Sequence, residues 1–459
     1  MSCTRTHKVK CVIAVVPAML VLSVSAMFAQ ELHPADRSLA HPPDLSPAPD
    51  EEQLPLAMHS RMDERPQISV GQKDGDLVGR DNRVLQAAVD YISALGGGTV
   101  HIGPGTYLMN DSLHLRAHVT VKGTAGQTVL RKADAHSSLL ALDGDFGEQQ
   151  ITVQDPTGFR VGGGVAVWDD RAGGFHTTVA RITGRRGNTF SLSRPLMADC
   201  LVTRKARAAT VFPVVSGYDI EGAAIHDITV AGNKDGNVPL NGCRGAGIFL
   251  YRGFGTLIRN CVVRDYNGDG ISFQQSNDVK VINCISEGNT FLGLHPGSGS
   301  QRPVIKNCQA RNNGTDGLFL CWRVRHGLFE DNVLEGNGRH GISIGHKDSD
   351  NLLQRNLIRR NGRSGVFFRN ELRGMAAHRN RLVSNVIEDN GTREPSPGIY
   401  VRGETQDLVF RNNQIRDTRP EGKRSQTIGI KIGPQVGKVT LEDNTIQGSH
   451  PVEDHRPSP

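Results

Sequence analysis

The chain has 459 residues, 53 of them Lys or Arg, 47 Asp or Glu and 37% hydrophobic, which is enough apolar material for a large core and excludes bulk disorder or a membrane channel. The formal charge of +6 is mild and gives no support for a nucleic-acid partner. Gly contributes 53 residues and Asn 26, with 23 of the Asn from Asn233 onward, so the C-terminal half must turn often and long helical bundles are excluded.

Arg5, Lys8 and Lys10 precede an apolar run from Cys11 to Val24, followed by Val24-Ser25-Ala26 or Met27-Phe28-Ala29. This predicts a signal peptide over 1–30, cleaved near Ala26 to Ala29, and a secreted or periplasmic protein of charge +3. No other stretch approaches the ~18 apolar residues of a membrane span. Residues 31–65 carry seven prolines counting Pro66 beside them, and read as a disordered leader. Within 66–138, Asp81-Asn82 precedes Val84, Leu85, Ala88, Val89, Ile92 and Leu95 at helical spacing, and Gly96-Gly97-Gly98 ends the run. A capping helix and the first coils are expected there. Residues 139–210 alternate in short apolar runs between Gly-rich turns, which predicts a small antiparallel β insertion; its polar tip of Asp169, Asp170, Arg171 and His176 reads as a solvated loop.

Over 211–448 a tetrad of Gly, apolar, any, apolar recurs at Gly247, Gly270, Gly293, Gly317, Gly341, Gly365, Gly398 and Gly429, spaced 23, 23, 24, 24, 24, 33 and 31 residues apart. Asn260, Asn283, Asn307, Asn332, Asn356, Asn380, Asn413 and Asn444 follow in step, as do Asn289, Asn313, Asn337, Asn361 and Asn390. Self-similarity at this period means a solenoid, in which each unit buries its apolar face only by stacking on the next. Ten or more coils are expected, with Asn ladders at the turns. Cys261, Cys284 and Cys308 each follow a ladder Asn and read as free thiols in an interior stack continued by Val333 and Leu357. Residues 449–459 are expected to be a disordered tail.

The helix ending in Gly96-Gly97-Gly98-Thr-Val-His-Ile-Gly-Pro104-Gly105-Thr-Tyr107, together with the coils, resembles the pectate-lyase-like right-handed parallel β-helix superfamily over about residues 68 to 448. The resemblance implies an all-β solenoid and a carbohydrate-active protein; the reaction stays open, because this superfamily includes lyases, hydrolases, epimerases and adhesins. Leu292-Gly293-Leu294-His295-Pro296-Gly297 is also laid out like the alginate C5-epimerase motif Tyr-Gly-x-Asp-Pro-His. His295 stands at the motif's Asp and Gly297 at its His, so that family's acid and base are not carried over.

Period-two alternation points the first and third residues after each Gly inward and the second and fourth outward. The outward set gathers Phe249, Tyr251, Phe319, Trp322, Phe367 and Tyr400 on one solvent-facing strip beside Arg323, Arg369 and Arg402. Rings stack on sugar faces and cations meet carboxylates, so the strip suits an acidic polysaccharide. The expected substrate-binding residues are His295, Phe319, Trp322, Arg323, Phe367, Asn370, Tyr400 and Arg402.

For β-elimination, Arg323 and Arg369 neutralise a uronate, His346 or Lys347 takes the C5 proton and Tyr400 donates to the leaving oxygen. For glycoside hydrolysis, Asp348 and Glu371 form a carboxylate pair on successive coils. A polysaccharide-binding or structural protein without turnover is the third reading. The catalytic candidates are therefore His346, Lys347, Asp348, Arg369 and Glu371. No zinc-ligand spacing is present, and Asp348-Ser349-Asp350 offers two acids toward Ca²⁺, which takes roughly six to eight oxygens.

Overall fold

The protein is described from a computed structural model covering residues 64–448 and 450–457. The signal expected at 1–30 and nearly all of the leader expected at 31–65 lie outside the described residues.

A helix, α1 (Asn82–Ala94), forms because Asp81 accepts from the Arg83 N–H at 3.0 Å and so caps the first turn. Gly96 (φ 82°) and Gly97 (φ 105°) end it with left-handed backbone. Its buried face, Leu85, Ala88, Val89 and Ile92, closes the first rungs and protects an otherwise open edge.

Behind α1 the chain winds into coils, each giving one short strand to each of three parallel sheets of thirteen, eleven and eleven strands. The near-constant period stacks equivalent residues. Ile258, Val281, Ile305, Phe329, Leu353, Leu382 and Phe410 stand over one another in register along the thirteen-stranded sheet, all fully buried. The predicted inward residues of the tetrads, from Ile248 and Leu250 to Ile430 and Ile432, are likewise buried. The result is a parallel β-helix.

The turns are fixed by buried amides. Asn289, Asn313, Asn337, Asn361 and Asn390 form one ladder: Asn337 Nδ2, for example, donates to Asn361 Oδ1 at 3.0 Å and to Ala310 O at 2.9 Å. A second ladder differs from the sequence expectation by one residue. Asn260, Asn283 and Asn307 are the left-handed turn residues (φ 52° to 55°), a role later taken by Asp331, Arg355 and Asn412. The residue after each is the buried rung, so Cys261, Cys284 and Cys308 continue into Asn332, Asn356, Asn385, Asn413 and Asn444 rather than into Val333 and Leu357. All six described cysteines are buried free thiols.

Between Ser137 and Ala209 the chain leaves the helix to form a six-stranded antiparallel sheet with its own core around Ile151, Val165, Val167, Ile182 and Phe190. The expected disordered tail is corrected: His450–Asp454 is a strand pairing in parallel with Ile428–Ile432. Val452 opposite Ile430 supplies the apolar contact, and the strand satisfies an edge that would otherwise be open.

Candidate functional site

The wall of interest is the eleven-stranded sheet running from Leu113–His114 through Val215–Tyr218 and Ala246–Tyr251 to His450–Asp454. Its register places Phe249, Ser272, His295, Phe319, Ser343, Phe367, Tyr400 and Lys431 in one outward column, since Phe249 pairs with Ser272, Ser272 with His295, Phe319 with Ser343, Ser343 with Phe367 and Phe367 with Tyr400. Two residues on, Tyr251, Gln274, Cys321, Arg369 and Arg402 form the neighbouring column.

Outward does not mean exposed along its whole length, which corrects the reading of the strip as uniformly solvent-facing. Phe249 is 1% exposed and His295 3%. The segment around Gly242 folds over the middle rungs, where Ser272 Oγ donates to Gly242 O at 2.7 Å. Under this cover His295 Nδ1 meets Asp269 Oδ2 at 2.7 Å, and its ring lies edge-on to Phe319 at 5.5 Å. Burial alone pulls the imidazole down, but the Asp269 carboxylate raises it to about 9. His295 is thus a buried ion-pair partner, not an open sugar contact.

Farther along, the rings stay half-buried. His340 stacks on Phe367 at 4.3 Å and 6°, Phe367 meets Tyr400 at 5.8 Å, and Arg402 and Lys431 lie over the Tyr400 ring at 5.6 and 5.9 Å. Burial, with Arg339 and Arg363 nearby, brings His340 down to about 3, so it is neutral.

Arg369 and Asp348 come together, though as an internal strut. Asp348 is fully buried; it accepts from the Val324 and Gly345 N–H groups and pairs with Arg369 at 3.1 Å. Burial pushes its carboxyl up to about 7 against the opposing Arg369 charge. Arg369 also donates to Leu320 O at 2.7 Å and Ser343 Oγ at 2.9 Å, with its guanidinium 4.4 Å over Phe319. Glu371 belongs to a different pair, with its Oε1 2.8 Å from His346 Nε2. The two carboxylates expected to face one glycosidic oxygen are therefore each engaged elsewhere. The same holds for Ca²⁺: Asp350 is bidentate to Arg379 at 2.6 and 2.9 Å, which leaves Asp348-Ser349-Asp350 without free acid ligands.

His346 is the remaining member of this cluster, paired with Glu371. Facing a carboxylate, Nε2 carries the proton and donates, which leaves the Nδ1 lone pair; that atom is buried without a hydrogen-bond partner. Trp322 lies against the ring at 5.2 Å and is itself 38% exposed. Burial and Arg369 lower the His346 pKa, opposed by Glu371. Trp322 (φ 64°) with Arg323 (φ 68°), and His346 (φ 49°) with Lys347 (φ 67°), are consecutive left-handed pairs on stacked coils, joined by Arg323 N–H to His346 O at 2.9 Å. Arg323 and Asn370 are exposed beside them and Lys347 is half-buried.

Sequence reasoning passed over a row of turn arginines. Arg339 and Arg363 occupy equal positions on stacked coils, Arg363 N–H bonding Arg339 O at 2.6 Å, and the Arg393 side chain lies against Gly338 and Gly362. The repeated Asn-Gly-Arg at 337–339 and 361–363 was the available signal.

A family model described as "Periplasmic copper-binding protein (NosD)" matches residues 226–420. Over 85 residues the chain is 35% identical to the mannuronan C5-epimerase AlgE6 of Azotobacter vinelandii, which is 16% of this chain and spans 10% of that relative's length. Among solved structures, the A-module of the A. vinelandii mannuronan C-5 epimerase AlgE4 matches with a TM-score of 0.52 at 18% identity, over 84% of this chain and 98% of that one. The polygalacturonase of Erwinia carotovora ssp. carotovora matches with a TM-score of 0.53 at 12% identity, over 86% and 97%. The chain is a right-handed parallel β-helix. As for the copper in the matched family's name, no group of three or more His, Cys, Asp or Glu side chains is disposed to hold a metal ion among the described residues.

Proposed function

We propose that this protein works outside the cytoplasm on an acidic polysaccharide, and that it cleaves the chain by β-elimination at a uronate. The observation that carries the reading is the His346–Glu371 pair: an imidazole whose pKa is lowered, with an unpartnered Nδ1, beside the exposed Trp322 and Arg323, while Asp348 and Glu371 are each already paired. Glu371 fixes the tautomer, as an orienting acid does for a general base. With Trp322 swung aside, His346 Nδ1 takes the C5 proton of a uronate whose carboxylate is neutralised by Arg323. The C5 electron pair forms the C4–C5 double bond, the C4–O bond breaks, and the imidazolium returns the proton to the departing oxygen. Phe367, Tyr400 and Arg402 then hold neighbouring sugars. Tyr400 stands two strands from Ser343, roughly 10 Å along the axis, which suits a binding role better than the proton donation expected of it.

Glycoside hydrolysis is the weaker reading, since Asp348 is buried in its pair with Arg369. Binding without turnover is the second reading, favoured by the same internal use of Arg369 and Asp348. One assay separates them. The protein is incubated with a panel of uronans and neutral glycans, and ultraviolet absorbance of unsaturated ends is followed beside reducing ends. Elimination gives both signals, hydrolysis only the second, and binding neither.

A further inference from the structure

The antiparallel insertion also borders the start of this wall. Between it and the coil of Ala246–Tyr251 runs a cleft of about 330 Å³, adjoined by a second of about 220 Å³ that shares Val179, Arg194 and Tyr218 with it. From the insertion side Arg194 reaches over the Tyr218 ring at 3.7 Å, and it forms no ion pair among the described residues. From the coil side Tyr218 packs against Phe249 at 5.8 Å and Tyr251 at 6.2 Å. Arg244 is anchored by donating from Nε to Phe175 O at 2.6 Å, and Arg252 closes the far side through Asp219 at 2.6 Å.

We infer that this seam is a second sugar-binding subsite, built for a carboxylated pyranose, in which Arg194 meets the carboxylate and Tyr251 stacks on the ring. A concave site with aromatic walls and a guanidinium that rests on the Tyr218 ring but has no carboxylate partner among the described residues is complementary to such a residue. The inference rests on the acidic-polysaccharide reading for the identity of the ligand, while the seam is separate from the His346 cluster. Four ladder steps divide the strands Ala246–Tyr251 and Ile342–Ile344, roughly 19 Å along the axis, so only an oligomer of several sugars reaches both. The insertion thereby selects for chain length.

The test measures, by calorimetry, the affinity of oligogalacturonate and oligomannuronate series and of their carboxyl-reduced counterparts for the full chain and for Arg194→Ala and Tyr251→Ala. Arg194 is exposed, so its removal leaves the fold intact, which circular dichroism checks. The expected result is about a tenfold loss of affinity for a long uronan in Arg194→Ala, and no effect of that substitution on carboxyl-reduced chains. Wild-type affinity in Arg194→Ala, an equal loss with reduced chains, or no uronan binding by the unaltered protein overturns the inference. Arg194-dependent binding without product supports the seam and removes only the elimination reading; product with wild-type affinity in Arg194→Ala does the reverse.

Discussion

His346 Nε2 lies 2.8 Å from Glu371 Oε1, and this contact decides which imidazole nitrogen carries the proton. Replacing the acceptor-only carboxylate by an amide removes that choice. Glu371→Gln is expected to lower kcat on the responsive uronan about a hundredfold with binding affinity unchanged. Turnover within twofold of the unaltered enzyme in a folded variant refutes the assignment.

The pH dependence of turnover follows from the same pair. Burial and Arg369 lower the His346 pKa below its usual 6.5, so the basic form is complete at neutral pH and activity falls only on acidification below 6.5. Glu371 opposes that shift, so in Glu371→Gln the residual activity should lose its acid limb at a still lower pH. An acid limb above 6.5 in the unaltered protein argues for a different base.

Arg369 braces the wall from within its outward columns. Removing it leaves the buried Asp348 carboxyl without its cation; the acid then takes up a proton, and the lost pair and hydrogen bonds cost about 1–3 kcal/mol. Arg369→Ala should lose that much in urea unfolding, and adding Asp348→Asn should restore part of it. A loss below about 1 kcal/mol would mean that the pair is not a structural strut.

His295 makes stability depend on pH in the alkaline range. Its folded pKa, about 9, lies above the 6.5 of the unfolded chain, so the stabilisation is complete below pH 6.5 and fades as pH rises through 9. The span corresponds to up to about 3 kcal/mol. Urea midpoints should fall across that window in the unaltered protein and stay flatter in Asp269→Asn; parallel curves for the two would exclude the ion pair as the cause.

The Asn ladder carries a mechanical prediction. Asn337 accepts from Asn313 and donates to Ala310 O and Asn361, so Asn337→Ala orphans groups on two neighbouring coils. A loss of about 3 kcal/mol is expected. Asn370, which is exposed beyond the end of its strand, serves as the control and should lose nothing measurable.

The solenoid was legible because inward Ile248, Ile271, Leu318 and Ile342 obey a period that stacking alone requires. The ladder slip arose because a left-handed turn residue and the buried rung after it are adjacent, and either of Asn307 and Cys308 suits a repeat when only spacing is visible. The site was harder to read. Alternation reveals which way His295 points but not that the segment around Gly242 folds over it, and charge type alone does not separate Asp348, consumed by Arg369, from Glu371, which orients His346. The seam at Arg194 joins segments far apart in sequence, so no local pattern announced it.

Recognition of carboxylated sugars by the ring-and-cation wall underlies both proposals. It is tested most directly by comparing equilibrium binding of one uronan with that of the same polymer after carboxyl reduction. The expected affinity is at least tenfold higher for the uronan and weakens as salt is raised. Equal affinity for the two polymers, or none for either, would contradict it.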